Sequence, residues 1–188
     1  MFARPLTADA ELRPLEPWRA EEFLGHLDRA REHIAPWVGP SFVATDLASA
    51  RAVLQRYADA RARDAGGIWG IWLTGPAPQE PTLVGGVMFV SFDTALRVCE
   101  AGCWLEPAAQ GRGLITRAAG LIVDWAVRER GIHRVEWQTN SRNTRSIAVA
   151  RRLGMRRDGT LRQAAPGPGG RVDIDVWSVL ADEWQRPA

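Results

Sequence analysis

The chain has 188 residues, 46% of them hydrophobic, which suits one well-filled core over residues 1–188 and is short for two. Its 24 basic and 22 acidic residues leave a net charge of +2, and the arginines are scattered among carboxylates, which argues against a nucleic-acid partner. No apolar run approaches the roughly 20 residues that cross a bilayer, and Met1-Phe2-Ala3-Arg4-Pro5 lacks the apolar core of a signal peptide, so a cytoplasmic location without membrane attachment is expected.

Leu12 to Leu15 reads as a short first strand. Glu21 to Arg31 follows as a helix with Phe23, Leu24 and Leu27 on one face. Thr45 or Asp46 is placed to cap a second helix, from Leu47 to about Arg63, with Val53, Leu54 and Tyr57 inward. Gly66-Gly67 ends it. Ile68–Leu73 is then a strand closed by the turn-rich Gly75-Pro76-Ala77-Pro78, and Leu83–Phe92 and Val98–Leu105 are two more.

After Pro107 the hydrophobic period changes. Leu114, Ala118, Leu121, Ile122, Trp125 and Ala126 recur at helical spacing until Gly131. Val135–Thr139 is a strand and Thr144–Leu153 a helix ended by Gly154. Two last strands, Thr160–Gln163 and Val172–Leu180, flank Ala164-Ala165-Pro166-Gly167-Pro168-Gly169-Gly170, which reads as a mobile hairpin loop. The pattern predicts an α+β class: a mixed, mostly antiparallel sheet of about seven strands flanked by about four helices, with one strand–helix–strand crossover.

Lysine is absent, so no lysine can act in catalysis. The two cysteines, Cys99 and Cys103, lie four residues apart on one strand, about 13 Å. That is beyond the roughly 7 Å a disulfide allows between Cα atoms, and the spacing is not that of a zinc site. Both read as small buried residues. His26, His33 and His133 have neither ligand nor triad spacing, so no chemistry and no metal is assigned to them.

The segment Leu105-Glu106-Pro107-Ala108-Ala109-Gln110-Gly111-Arg112-Gly113-Leu114-Ile115-Thr116 joins a strand to a helix start. A helix N-terminus offers unpaired N–H groups and about half a positive charge to an anion. Two glycines let the backbone approach it closely, and Arg112 can add a charge-assisted contact. The segment lacks the third glycine of a dinucleotide fingerprint and the Lys-Ser/Thr of a P-loop, so by itself it is equally an ordinary turn.

Gln110-x-x-Gly113-x-Ile115 resembles the Gln/Arg-x-x-Gly-x-Gly/Ala signature of the GNAT acyltransferases, with isoleucine in place of the third small residue. Cys99-Glu100-Ala101-Gly102-Cys103-Trp104-Leu105, Pro36-Trp37, Asn143-Thr144-Arg145-Ser146, Arg152-Leu153-Gly154-Met155, Asp173 and Leu180-Ala181-Asp182-Glu183-Trp184 extend the likeness to the RimJ/RimL-type branch. The resemblance implies the GNAT fold and acetyl-CoA as co-substrate, without metal.

In similar enzymes the amides of Gln110, Gly111, Arg112, Gly113, Leu114, Ile115 and Thr116 hold the CoA pyrophosphate. Trp104 and Leu105 pair with the pantetheine arm, and Asn143 bonds to it while also serving as a helix N-cap. Ser146 resembles the serine that protonates the departing thiolate. Many relatives use a tyrosine there, but the one tyrosine, Tyr57, is far in sequence from the CoA half. Glu100 resembles the glutamate that acts as base, directly or through water. Ribosomal-type relatives often carry a glutamate within the segment matching Leu161–Ala165; this chain has Ala165, which leaves Glu100, Asp173 or Asp175 as the base. Asp173 and Asp175 share a strand face with Trp177 and could hold a cationic acceptor, and Trp37 is expected to line the acceptor pocket.

The expected reaction is acetyl transfer to a primary amine, a protein or peptide N-terminal α-amine. An α-amine has a pKa near 8 and a lysine one near 10.4, so freeing the α-amine costs roughly 3 kcal/mol less. A small-molecule amine (amino sugar, polyamine or antibiotic), a non-catalytic CoA-binding module and a nucleotide-binding regulatory domain are the competing readings. Homodimers are common among similar proteins.

Overall fold

A single eight-stranded sheet organises the chain. The computed structural model describes residues 3–75, 80–167 and 169–187; Met1 and Phe2, the Pro76-Ala77-Pro78 part of the expected turn, and Pro168 lie outside them. The strands are β1 (Arg4–Thr7), β2 (Ala10–Pro14), β3 (Gly67–Leu73), β4 (Thr82–Asp93), β5 (Val98–Leu105), β6 (Arg134–Asn140), β7 (Arg156–Gly167) and β8 (Gly170–Leu180). Their spatial order is β1-β2-β3-β4-β5-β6-β8-β7. Every pairing is antiparallel except β5 with β6. A parallel pair needs a long crossover, and the helix between those strands, α3 (Leu114–Arg128), supplies it.

The other helices are α1 (Ala20–Ile34), α2 (Leu47–Ala62) and α4 (Thr144–Arg152). Asp46 caps α2, its carboxylate accepting from the Ser49 amide at 2.7 Å while the Ser49 hydroxyl accepts from the Asp46 amide. Strand alternation sends side chains to two faces. Trp72, Met88 and Trp104 pack with Phe23, Leu27 and Leu54 of α1 and α2 on one face. Val87, Val135, Trp137 and Trp177 pack with Ile122 of α3 and Ala150 of α4 on the other. Helices therefore cover both faces, and the α+β GNAT fold anticipated from the residues is the one observed.

Two elements differ from expectation. The strand Arg4–Thr7 was not foreseen, because a four-residue edge segment containing Pro5 carries little alternation. The stretch Ala164–Gly167 is not a loop. It continues β7, pairing Ala165 with Val172 and Gly167 with Gly170.

Candidate active site

β5 and β6 run side by side for three rungs only. Val98, Cys99 and Glu100 pair with Arg134, Val135 and Glu136, and then the strands part. A bulge in β4 between Phe89 and Ser91 falls at the same level, opposite Ala101 and Glu100, and a bulge bends and twists its strand. On its other edge β5 stays paired with β4 as far as Leu105. The β6-facing amides and carbonyls of residues 101–105 thus have no strand partner. The opening is a cavity of about 1120 Å³. Both parted strands line it, together with the starts of α3 and α4 and parts of α1, α2 and the segment between them.

The turn before α3 fits a diphosphate. Gly111 and Gly113 have φ of +78° and +72°, values side-chain-bearing residues rarely adopt. A Cβ added at Gly111 would have nothing within 4 Å. No side chain caps α3, and its first backbone bond runs from Arg117 N to Gly113 O at 3.1 Å. Among the described residues the amides from Gly111 to Thr116 donate to no protein group, which leaves unclaimed donors at a helix start. Gln110, Gly111, Gly113, Leu114, Ile115 and Thr116 line the cavity, as do Trp104 and Leu105.

Arg112 does not line it. Its guanidinium turns away to the Asp9 carboxylate, at 2.5 Å, so a side-chain contact from Arg112 to an anion in the cavity is corrected to a link between the turn and the β1–β2 hairpin. Gln110 has a partner that sequence reasoning missed. Its Nε2 lies 2.7 Å from His33 Nε2, which ties the turn to the end of α1 and brings His33 to the cavity wall.

Glu100 lies inside the cavity, on the sheet face shared with Trp104. Burial, and secondarily the Glu136 carboxylate beside it, push its pKa from 4.5 up to about 7. Glu136 is itself held by the Arg134 Nε at 2.8 Å. Burial also pushes the Cys99 and Cys103 thiols up to about 12; both cysteines are free, and neither is a ready nucleophile.

On the opposite wall, Asn143 Oδ1 accepts from the Ser146 amide at 3.1 Å, capping α4 and leaving the Asn143 NH₂ uncommitted. The Ser146 hydroxyl accepts from the buried Trp137 indole N–H at 2.9 Å. With its oxygen engaged as acceptor, the hydroxyl keeps its own hydrogen to donate elsewhere.

A further wall of the cavity is built by α1, α2 and their connection. Trp37, 44% exposed, lines it. Tyr57, set aside for its distance along the chain, lines it as well. Its phenol is pushed up chiefly by burial, with Arg56 pulling it back and Glu100 adding to the rise. The inward face expected for α2 at Tyr57 was the available signal. That the face meets Glu100 depends on α2 packing over the sheet.

Asp173 and Asp175 lie outside the cavity. Asp175 pairs with Thr139, in line with Trp137, and so projects to the α3–α4 face, opposite that of Glu100. It accepts from Arg157 and from the Thr160 hydroxyl, both at 2.7 Å. Asp173 accepts from the Gln163 amide at 2.8 Å, which holds the β7 irregularity. Among the described residues Glu100 is the one carboxylate lining the cavity.

Trp104 closes the base of this wall. Its indole donates to His26 Nε2 at 3.1 Å, so the ring proton of the fully buried His26 sits on Nδ1, 3.2 Å from Glu106.

A pair of strands that part beside a glycine-lined helix start is matched by a comparison of sequence. The acetyltransferase (GNAT) domain family matches residues 10–156. The chain belongs to the GNAT family. As a member of this family its general activity is acetyl-CoA-dependent acyl transfer. YdaF and YjcK of Bacillus subtilis (strain 168), both named as N-acetyltransferases, are 25% and 28% identical over 98% and 90% of this chain, and over 98% and 92% of their own lengths. The solved structure of RimL, a ribosomal L7/L12 alpha-N-protein acetyltransferase in complex with coenzyme A, superposes with a TM-score of 0.85 at 20% identity, covering 96% of this chain and 99% of the other.

Proposed function

We propose that this GNAT acetyltransferase moves an acetyl group from acetyl-CoA to a protein or peptide N-terminal α-amine. The reading rests on Glu100, a cavity carboxylate held near pKa 7 by burial and by Glu136. A base near 7 takes a proton from an α-ammonium of pKa about 8 at a cost of about 1.4 kcal/mol; from a lysine near 10.4 the cost is about 4.6 kcal/mol. The amine freed by Glu100 attacks the thioester carbonyl carbon and the carbon–sulfur bond breaks; Ser146 gives its proton to the departing sulfur and is reprotonated by the second proton shed from the acylated nitrogen, which leaves a neutral amide and a free thiol. No covalent enzyme intermediate is formed.

The amides from Gly111 to Thr116, the unpaired edge at Trp104 and Leu105, and the Asn143 NH₂ would hold the coenzyme. Acetyl-CoA itself supplies the activated acetyl group. Membership in the RimJ/RimL-type branch is supported by the motifs around Glu100, Gln110 and Asn143, and RimL, which shares the fold, acts on an α-amine by name. The Ala165 position, which often carries glutamate in ribosomal-type relatives, is a half-buried rung of β7 with no carboxylate, so the base role falls to Glu100. A panel of N-terminal peptides, lysine peptides, amino sugars and polyamines with acetyl-CoA, read by free-thiol release, tests the reading. Turnover of peptides with a free α-amine and loss of it in Glu100→Gln are expected. Turnover of a small amine alone would overturn the peptide acceptor, and an unchanged Glu100→Gln would overturn the base.

A further inference from the structure

The cavity wall is unbalanced in charge. It carries one carboxylate, Glu100, and three arginines: Arg56, Arg145 and Arg152. None of the three arginines has a carboxylate partner among the described residues. Arg145 and Arg152 belong to α4, the helix that also carries Ser146 and is capped by Asn143. A coenzyme bearing a diphosphate gives positive charge on that side a use. Arg56 does not share that helix. It stands on α2, in the cavity wall that also carries Tyr57.

Arg56 is exposed and only loosely held. Its Nη1 and Nη2 reach the Ser41 carbonyl at 3.4 and 3.5 Å, at the long limit of a hydrogen bond. Its Cζ lies 5.5 Å from the centroid of the Tyr57 ring, a cation–π contact. A guanidinium has five such donors and presents them as a fork suited to a carboxylate or phosphate. Tyr57 is close enough to both Arg56 and Glu100 for each charge to act on its phenol.

Resting on the amine-acetylation reading, we propose that Arg56 is a specificity-determining residue that selects acceptors carrying an anionic group beyond the reacting amine. The amine is read by Glu100 and the anion by Arg56, both of which line the cavity. A polyamine or other polycationic acceptor would meet one carboxylate and an arginine of like charge, so that class is selected against. Two sources fit the same chemistry: a peptide N-terminus followed closely by Asp or Glu, and a free amino acid with its own carboxylate.

The test measures kcat and KM, with acetyl-CoA and thiol release, for three peptides that share an N-terminal Ser followed by Asp, Ala or Arg, for free amino acids, and for spermidine. These are compared in the wild type, Arg56→Ala, Arg56→Lys and Arg56→Glu. The wild type is expected to favour the Asp peptide, or the amino acids, over the Ala peptide by about tenfold in kcat/KM. In Arg56→Ala that advantage disappears through KM, with kcat and the KM for acetyl-CoA within about twofold. Arg56→Lys restores part of it, and Arg56→Glu reverses the order toward the Arg peptide. Preference for peptide or for amino acid identifies the source. Equal turnover of the three peptides, or an acid preference that survives Arg56→Ala, overturns the Arg56 role while leaving amine acetylation standing. Turnover of spermidine alone overturns Arg56 and the peptide acceptor together, and turnover of none of these overturns both readings.

Discussion

Glu100 and Glu136 face one another across the last rung at which β5 and β6 are paired. Two carboxylates on adjacent strands repel, and burial withholds the water that would screen them. Arg134 relieves Glu136, so the cost falls on Glu100. The place where the sheet opens is therefore also where a carboxylate is held near neutrality.

The pH profile follows from that pair. Glu100 acts as base only when deprotonated, so kcat/KM should rise with pH through about 7, the value to which its carboxyl is raised. Glu136→Gln removes one cause of the rise and should move this limb to lower pH, by up to about one unit. A limb that does not move in Glu136→Gln would show that the titrating group is elsewhere.

Glu100→Gln should lose about 10²–10⁴-fold in kcat and yet be the more stable protein in alkali. The folded pKa lies above the unfolded one, so the native state binds the extra proton and wild-type stability falls as pH rises from 4.5 to about 7. Above pH 7 the ionised group costs at most about 3 kcal/mol. Thermal unfolding at pH 8 should favour the Gln variant, with the difference vanishing below about pH 5. Equal melting at both pH values would refute the buried-charge account.

Ser146→Ala should lower kcat by about 10²-fold and also orphan the Trp137 indole, now bonded at 2.9 Å. An unmade bond from a buried donor costs about 1–3 kcal/mol. The double variant with Trp137→Phe should be less destabilised than the two single changes added together, by about that amount, and recover no activity, which separates the hydroxyl as acid from the hydroxyl as hydrogen-bond partner. Recovery of activity in the double variant would remove the acid role.

Gly113→Ala places a Cβ on a residue with φ of +72°, a strain of about 1 kcal/mol. The turn should shift and the KM for acetyl-CoA rise about tenfold or more, with the acceptor KM little altered. Isothermal titration with CoA checks this directly, and unchanged CoA affinity would separate the turn from coenzyme binding.

Local chemistry made most of the fold legible. The Asp46 cap, the helical spacing after Leu114 and the alternation that puts Glu100 with Trp104 are all short-range patterns, and each element they predicted is present within a few residues. The glycine turn was visible for the same reason, since a positive φ is needed within the motif itself. What the residues could not reveal depends on faces meeting across the sheet. Asp173 and Asp175 looked equivalent to Glu100 as strand carboxylates, and only the pairing of Asp175 with Thr139 sends them to the other side. Tyr57, Arg56 and His33 reach the cavity because α1 and α2 cover the face that carries Glu100 and Trp104. A strand's period is two, so its sequence divides residues into two sets; which set meets α1 and α2 is decided by the layers packed on each face.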